Sequence, residues 1–222
     1  MTVLLVVAKA PVPGLAKTRL CPPATPRQAA AVAAAALLDT LAAVRATPGA
    51  TPVLAYAGRL RAAERSGEIR AALAGWRLIP QRGEGLAERL ALAHAGAAAI
   101  AGGGPVLQIG MDTPQVTPDL LAAAAEQLSD VDAVLGPATD GGWWLLGLRT
   151  PSYAPALTGV PMSTPDTGRL TRAALVERGL RVAEAPALTD VDTWRDAEAV
   201  AGLAPDGRFA AAVAGCAAAV PR

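Results

Sequence analysis

Two short apolar runs constrain the fold more than anything else in the chain. Val3 to Ala8 (Val-Leu-Leu-Val-Val-Ala) is continuous and β-branched, with no polar alternation, and Val106, Leu107 and Ile109 form a second run of the same character. Strands that are apolar on both faces belong in a parallel sheet covered by helices on each side. The second run carries more information, because Gly110 breaks it and Asp112 follows at once, with Thr113 and Pro114 stiffening the loop. A carboxylate is thereby delivered to the carboxyl end of a buried strand, the edge of an open α/β sheet at which ligands bind. There it is placed either to hold a hard divalent cation or to cap the helix Thr117 to Leu128, although Thr117-Pro118-Asp119 already makes a good cap for that helix.

The rest of the chain reads as strands alternating with helices. Pro26 to Ala46 has helical spacing, Thr47 to Pro52 is a turn and Val53 to Ala57 a second strand, which makes one βαβ crossover. A charged helix is predicted over Arg59 to Leu73, a short strand over Trp76 to Pro80, and a helix over Leu86 to Ile100. Asp132 to Leu135 and Trp143 to Leu148 read as strands, 166–178 as a helix, Leu180 to Ala183 as a late strand, and a final Ala-rich helix runs near Phe209 to Ala219 within about 205–220. At 222 residues, with 52% hydrophobic residues and no linker-like segment or repeat, the chain is expected to form one domain over 1–222.

Composition removes several classes of function. The formal charge is +1 with no long run of either sign, so neither nucleic acid nor an anionic membrane surface is an expected partner. Cys21 and Cys216 lie far apart, and the single histidine, His94, sits inside an Ala-rich helix as a core or surface residue, which argues against a zinc site or a disulfide framework. Met1 to Ala8 is too short for a signal sequence. No apolar stretch is expected to span a membrane, because Gly102 to Gly104 and Pro105 cut the longest candidate. The expectation is a cytoplasmic protein acting on small molecules.

Four loops carry candidate chemistry. After the first strand, Lys9-Ala-Pro-Val-Pro-Gly14-Leu-Ala-Lys17-Thr18-Arg19 offers cations, a hydroxyl and, at Gly14, close backbone approach. It lacks the glycines of an ATPase P-loop yet has the makings of a cradle for a di- or triphosphate. Gln81-Arg-Gly-Glu-Gly85-Leu86 is a glycine-broken loop between a strand and a helix. Asp140-Gly141-Gly142 presents one carboxylate and two residues free to take positive φ, which suits either a tight turn or a surface along which a sugar passes. Trp143 and Trp144 behind it can stack on a ring or fill the core. In Asp190-Val-Asp192-Thr193 two aspartates alternate just before a helix, so strand-like geometry would let only one face Asp112, and an N-cap is the competing role for Asp192.

Taken in order, Lys17-Thr18-Arg19, Gly110-Met-Asp112-Thr-Pro114, Gly136-Pro137 with Asp140-Gly141-Gly142, and Asp190-Val-Asp192-Thr193 resemble the uncharacterised GT-A-fold glycosyltransferase family named for arsenosugar biosynthesis. That family is similar in turn to phospholactate and molybdenum cofactor guanylyltransferases, and the likeness runs from Val3 to about Leu203. It implies a single-domain three-layer α/β/α sandwich of nucleotide-diphospho-sugar transferase type with a mostly parallel central sheet. It implies further that Lys17, Thr18 and Arg19 contact phosphates, that Asp140, Gly141 and Gly142 line the acceptor or sugar side, and that Asp112 and Asp192, with Asp190 as the fallback, hold Mg2+ or Mn2+. The residues themselves add Gly14 and Gly85 on the nucleotide side and Asp140 as the candidate base, so that Lys17, Asp112 and Asp140 are the residues expected to serve catalysis. The implied substrates are a nucleotide sugar, or alternatively a nucleoside triphosphate, and a small-molecule acceptor. Three positions depart from the family pattern: Gly85-Leu86-Ala87 stands where members carry Asp-Leu-Gly, Trp143 replaces Tyr, and Met162 replaces Trp.

Overall fold

The computed structural model describes residues 1–100 and 102–217. Its centre is one seven-stranded sheet built from β1 (Thr2–Lys9), β2 (Ala50–Ala57), β3 (Arg77–Pro80), β4 (Val106–Gly110), β5 (Ala133–Pro137), β6 (Trp143–Leu148) and β7 (Val182–Glu184). The strand order is β3-β2-β1-β4-β6-β5-β7. Every pairing is parallel except those of β6, which runs antiparallel to both β4 and β5. The chain winds outward from β1 to β3 on one side and then crosses to β4 on the other. The order therefore reverses between β1 and β4, the place where the loops leaving two adjacent parallel strands diverge and open a crevice.

The two apolar runs sit where their composition requires. In β1, Leu4 and Val6 face α1 (Pro26–Ala46) and α4 (Pro118–Gln127) together with Leu37, Leu41 and Leu121, while Val3 and Leu5 face α3 (Gly85–Ile100) with Ala93 and Ala97. Both faces of the sheet are covered, and this accounts for the missing polar alternation. On the α3 side, α5 (Thr167–Val176) and a 3-10 segment at Pro151–Gly159 complete the layer over β5 and β6. Outside α1, the helices α6 (Trp194–Leu203) and α7 (Arg208–Ala217) bury Val200, Phe209 and Val213 against Leu20, Val32 and Ala36.

Several local expectations are corrected. The charged segment after β2 is a 3-10 turn at Leu60–Ala62 followed by a short helix, α2 (Ser66–Ala72), because Arg65 adopts a left-handed conformation (φ 54°) and interrupts the run. The β2 strand begins at Ala50, with Pro52 inside it, and the 3-10 segment at Pro151–Gly159 has no counterpart in the sequence reading. The final helix begins at Arg208, and its expected end at 218–220 lies outside the described residues. The longest apolar segment is α1, whose 21 residues are by length and composition enough to cross a bilayer; 72% of its apolar window is buried between the sheet and the outer helices. His94 is fully buried on α3 and, among the described residues, neither of its ring nitrogens has a hydrogen-bond partner.

Candidate active site

The crevice at the β1/β4 reversal is a cleft of about 480 Å3. Lys9, Lys17, Arg19, Gln81, Leu86, Arg89, Asp112 and Asp192 are among its lining residues. Three of the four candidate loops reach it. The first loop folds so that Lys17 takes a left-handed conformation (φ 47°, ψ 42°) immediately before a 3-10 turn at Thr18–Leu20. A lysine held there is unusual and strained. The conformation directs the side chain inward, where Lys17 Nζ lies 3.0 Å from Asp112 Oδ1 and 3.0 Å from Asp192 Oδ1. Arg19 reaches Asp192 Oδ2 at 3.5 Å from a largely exposed position. Burial works against the Lys17 ammonium, but the attraction and hydrogen bonds of the two carboxylates outweigh it and hold its pKa above the ordinary lysine value.

Asp112 leaves β4 free for this role because Thr117 caps α4, its hydroxyl accepting from Leu120 N at 3.2 Å. The Asp112 carbonyl also accepts from Val191 N at 2.9 Å, tying the β4 loop to the segment that carries Asp190 and Asp192. That segment is not a strand. Thr193 caps α6 in a reciprocal box with Asp196, whose Oδ2 also accepts from Asp192 N at 3.3 Å. The expected alternation of Asp190 and Asp192 to opposite sides therefore fails, and Asp192 is not the cap. Both aspartates bear on Asp112: Asp192 through the shared Lys17, and Asp190 through repulsion. Burial first, then the charges of Asp112 and Asp140, push the Asp190 carboxyl up to about 7; Lys17 opposes this and Asp192 adds to it.

Asp140 lies in an exposed turn, its Oδ1 accepting from Gly142 N at 2.8 Å and its second oxygen without a hydrogen-bond partner among the described residues. Gly141 has φ +90°, whereas Gly142 does not need positive φ. Gly141 O accepts from Gly168 N at 2.8 Å, so the Asp-Gly-Gly turn is fixed to the start of α5. Gly14 (φ +73°) and Gly85 (φ +75°) bend their loops but do not themselves line the cleft. Trp144 fills the core with its indole N–H on Pro186 O, and Trp143 is half-buried with its N–H on Thr171 Oγ1 at 3.2 Å. Of the residues that depart from the family pattern, Gly85 and Ala87 flank the cleft-lining Leu86, whereas Trp143 and Met162 pack against the core.

Lys9, Gln81 and Arg89 are cleft residues that the motif reading did not assign. Gln81 Nε2 donates to Ala8 O at 2.9 Å and Ala55 O at 3.0 Å, bridging the ends of β1 and β2. The overlooked signal for the lysines is compositional. Of the 20 Lys and Arg residues only Lys9 and Lys17 are lysines, and both line the cleft. A compact ammonium on a flexible stem is not interchangeable with a planar guanidinium, and this chain uses lysine at these two positions alone.

Among the described residues, no three His, Cys, Asp or Glu side chains form a ready metal cage. Asp112 and Asp192 nonetheless fit Mg2+ or Mn2+: they are hard oxygen donors, and both already contact one cation, the Lys17 ammonium, at 3.0 Å. Small divalent ions of this kind are commonly held by one or two carboxylates, with substrate oxygens and water completing the shell.

The fold and its reversal-point cleft place the protein among α/β proteins of nucleotide-diphospho-sugar transferase type. The chain belongs to the family described as uncharacterized protein conserved in bacteria (DUF2064), whose sequence profile matches residues 40–164. No curated protein matches it. It is similar in structure to a Desulfovibrio desulfuricans G20 protein provisionally described as a nucleotide-diphospho-sugar transferase, with 26% identity and a TM-score of 0.79 over 97% of each chain. It also shares its fold with CMP:2-keto-3-deoxy-manno-octonic acid synthetase complexed with CTP (14% identity, TM-score 0.58, 92% of this chain and 98% of that one). A Mycobacterium tuberculosis H37Rv protein in complex with manganese has the fold as well (21% identity, TM-score 0.51, 90% and 98%).

Proposed function

We propose that the protein is a transferase that uses a nucleotide-diphosphate sugar as glycosyl donor and depends on Mg2+ or Mn2+. The observation that carries this reading is the pair Asp112 and Asp192 meeting on one cation at the mouth of the β1/β4 cleft. The similar D. desulfuricans protein supports the donor class, and the manganese in the M. tuberculosis relative supports the metal.

In this reaction the acceptor hydroxyl oxygen bonds to the anomeric carbon, the bond from that carbon to the β-phosphate oxygen breaks, and the nucleoside diphosphate leaves with the electron pair. Asp112 and Asp192 would hold the metal, which when bound neutralises the diphosphate. Lys17 and Arg19 donate hydrogen bonds to the same phosphates as negative charge builds on them, in a partly buried site where such contacts are stronger than in water. Asp140, with one oxygen tied to Gly142 N in an exposed turn, is the base proposed to take the acceptor proton. Gly14, Thr18 and Gly85 shape the nucleotide side, and Gly141 and Gly142 the acceptor side.

Nucleotidyl transfer is the second reading, with attack at the α-phosphate of a nucleoside triphosphate and release of pyrophosphate. The four cations of the cleft, Lys9, Lys17, Arg19 and Arg89, favour it, since a triphosphate carries more charge than a diphosphate sugar. The synthetase of the same fold is complexed with CTP, a nucleoside triphosphate. We place the protein in the cytoplasm.

Melting temperatures measured with and without Mn2+, across a panel of nucleotide sugars and nucleoside triphosphates, separate the readings, because a ligand that binds only the folded state raises its stability. A Mn2+-dependent rise with a nucleotide sugar, absent in Asp112→Ala, is the expected result. A rise confined to triphosphates would transfer the assignment to nucleotidyl transfer, and no rise with any ligand would defeat both.

A further inference from the structure

We infer that Lys17 is a built-in occupant of the metal position, and that a divalent ion and the Lys17 ammonium compete for Asp112 and Asp192. The inference rests on the metal role of those aspartates set out above. Three observations carry it. The ammonium sits 3.0 Å from an oxygen of each aspartate, a bridging arrangement in which it already supplies the positive charge the pair requires. The side chain is largely buried, with 14% of its surface exposed, whereas Arg19, the other cation on Asp192, is 77% exposed and, among the described residues, pairs with that one carboxylate. Finally, the Lys17 backbone is held at φ 47°, a conformation that L-residues adopt at a cost.

Two cations cannot share that gap. When the ion enters, the ammonium must swing out, and the nearest place for it is the cleft that both Lys17 and Arg19 line. The exchange links metal binding to phosphate binding: a free metal ion has to displace a tethered cation, whereas a metal ion arriving with a diphosphate gives the released lysine a partner. If the lysine is docked roughly nine-tenths of the time, the apparent affinity for free metal falls about tenfold.

The test is Mn2+ binding by calorimetry to the full chain as wild type, Lys17→Met and Asp112→Asn. Lys17→Met is expected to bind Mn2+ about tenfold more tightly than wild type, and Asp112→Asn to lose binding. Adding a nucleoside diphosphate should tighten Mn2+ binding by the wild type more than by Lys17→Met. Equal or weaker Mn2+ binding by Lys17→Met, with binding still dependent on Asp112, would overturn the competition while leaving the metal site intact. No Mn2+ binding by either protein would overturn the metal site and the competition with it. A second measurement needs no variant at Lys17. With only two lysines in the chain, isotopically labelled lysine gives two side-chain NMR signals, assigned with Lys9→Arg. Saturating Mg2+ should move the Lys17 signal toward that of a solvated lysine, and an unmoved signal at saturation would refute the displacement even if Lys17→Met failed to fold.

Discussion

A β-carbon added to Gly141 would fall on the carbonyl oxygen of Pro165, so the turn that carries Asp140 and the loop leading into α5 touch through their backbones. Gly168 faces the same contact from the other side, since its β-carbon would come within 2.5 Å of Gly142 O. The Asp140 carboxylate is therefore positioned by a main-chain seam that leaves no space for a side chain. Gly141 also needs its φ of +90°, which a residue with a β-carbon adopts only under strain.

Gly141→Ala is consequently expected to lower stability by about 2–4 kcal/mol, through backbone clash and left-handed strain together. Gly142→Ala is the contrast. The atoms nearest its β-carbon would all belong to the Asp140 side chain, which can move, with Oδ1 first at 3.0 Å. Its melting temperature should stay near that of the wild type, with the effect confined to turnover through a shifted Asp140. Comparable melts for the two variants would mean that the seam does not hold the turn.

Asp196 offers a test of how Asp192 is presented. Its Oδ2 collects Thr193 N, Thr193 Oγ1 and Asp192 N, so one carboxylate both caps α6 and fixes the backbone from which Asp192 projects. Asp196→Ala should cost about 1 kcal/mol as a lost capping interaction and should weaken Mn2+ binding although Asp196 is not a ligand. Thr193→Ala removes the cap hydroxyl while Asp196 can still accept from Asp192 N. An equal stability loss with Mn2+ affinity preserved separates capping from positioning, and loss of affinity in neither variant would refute the positioning role.

Gln81 stands at the floor of the cleft with both amide hydrogens committed to Ala8 O and Ala55 O, which leaves Oε1 fixed as an acceptor. Gln81→Met keeps the length but withdraws two hydrogen bonds from carbonyls at the strand ends. The expected cost is about 1–3 kcal/mol in unfolding free energy, accompanied by weaker nucleotide binding in the same titrations. A variant that melts like the wild type would show that water satisfies those carbonyls and that the floor does not depend on Gln81.

These residues also show how far sequence reaches. Asp112 was legible because an uninterrupted buried strand must end at the functional edge of a parallel sheet, and Gly110 marks where it ends. Lys17 and Arg19 were legible as cations beside that edge. Their pairing with Asp192 was not, since contacts across 175 and 173 positions depend on how α6 docks and leave no periodic trace. The alternation expected of Asp190 and Asp192 does not hold for a definable reason: the rule applies to strands, and the Thr193–Asp196 box turns this segment into a helix entry. Gln81 and Arg89 carry no motif, and they become cleft residues only because β3 and α3 meet the sheet edge beside β1.

Acidity provides the last test, because two groups pull in opposite directions over one range. Burial lowers the His94 pKa from 6.5 to about 4, so between those values the unfolded chain binds the extra proton. The stability present above pH 6.5 is therefore lost as pH falls toward 4. Asp190 is raised from 3.8 to about 7, so there the folded chain holds the extra proton, and stability present below 3.8 is lost as pH rises toward 7. Each effect is on the order of 3 kcal/mol. The opposing slopes should nearly cancel between pH 4.5 and 6.5 in chelator-treated wild type. Asp190→Asn should expose the histidine and melt lower as pH falls across that window, while His94→Met should expose the aspartate and melt higher. Metal binding should flatten the second slope, because an ion beside Asp190 favours its charged form. Parallel pH profiles for all three proteins would refute the opposing pair and return both groups to ordinary surface-like titration.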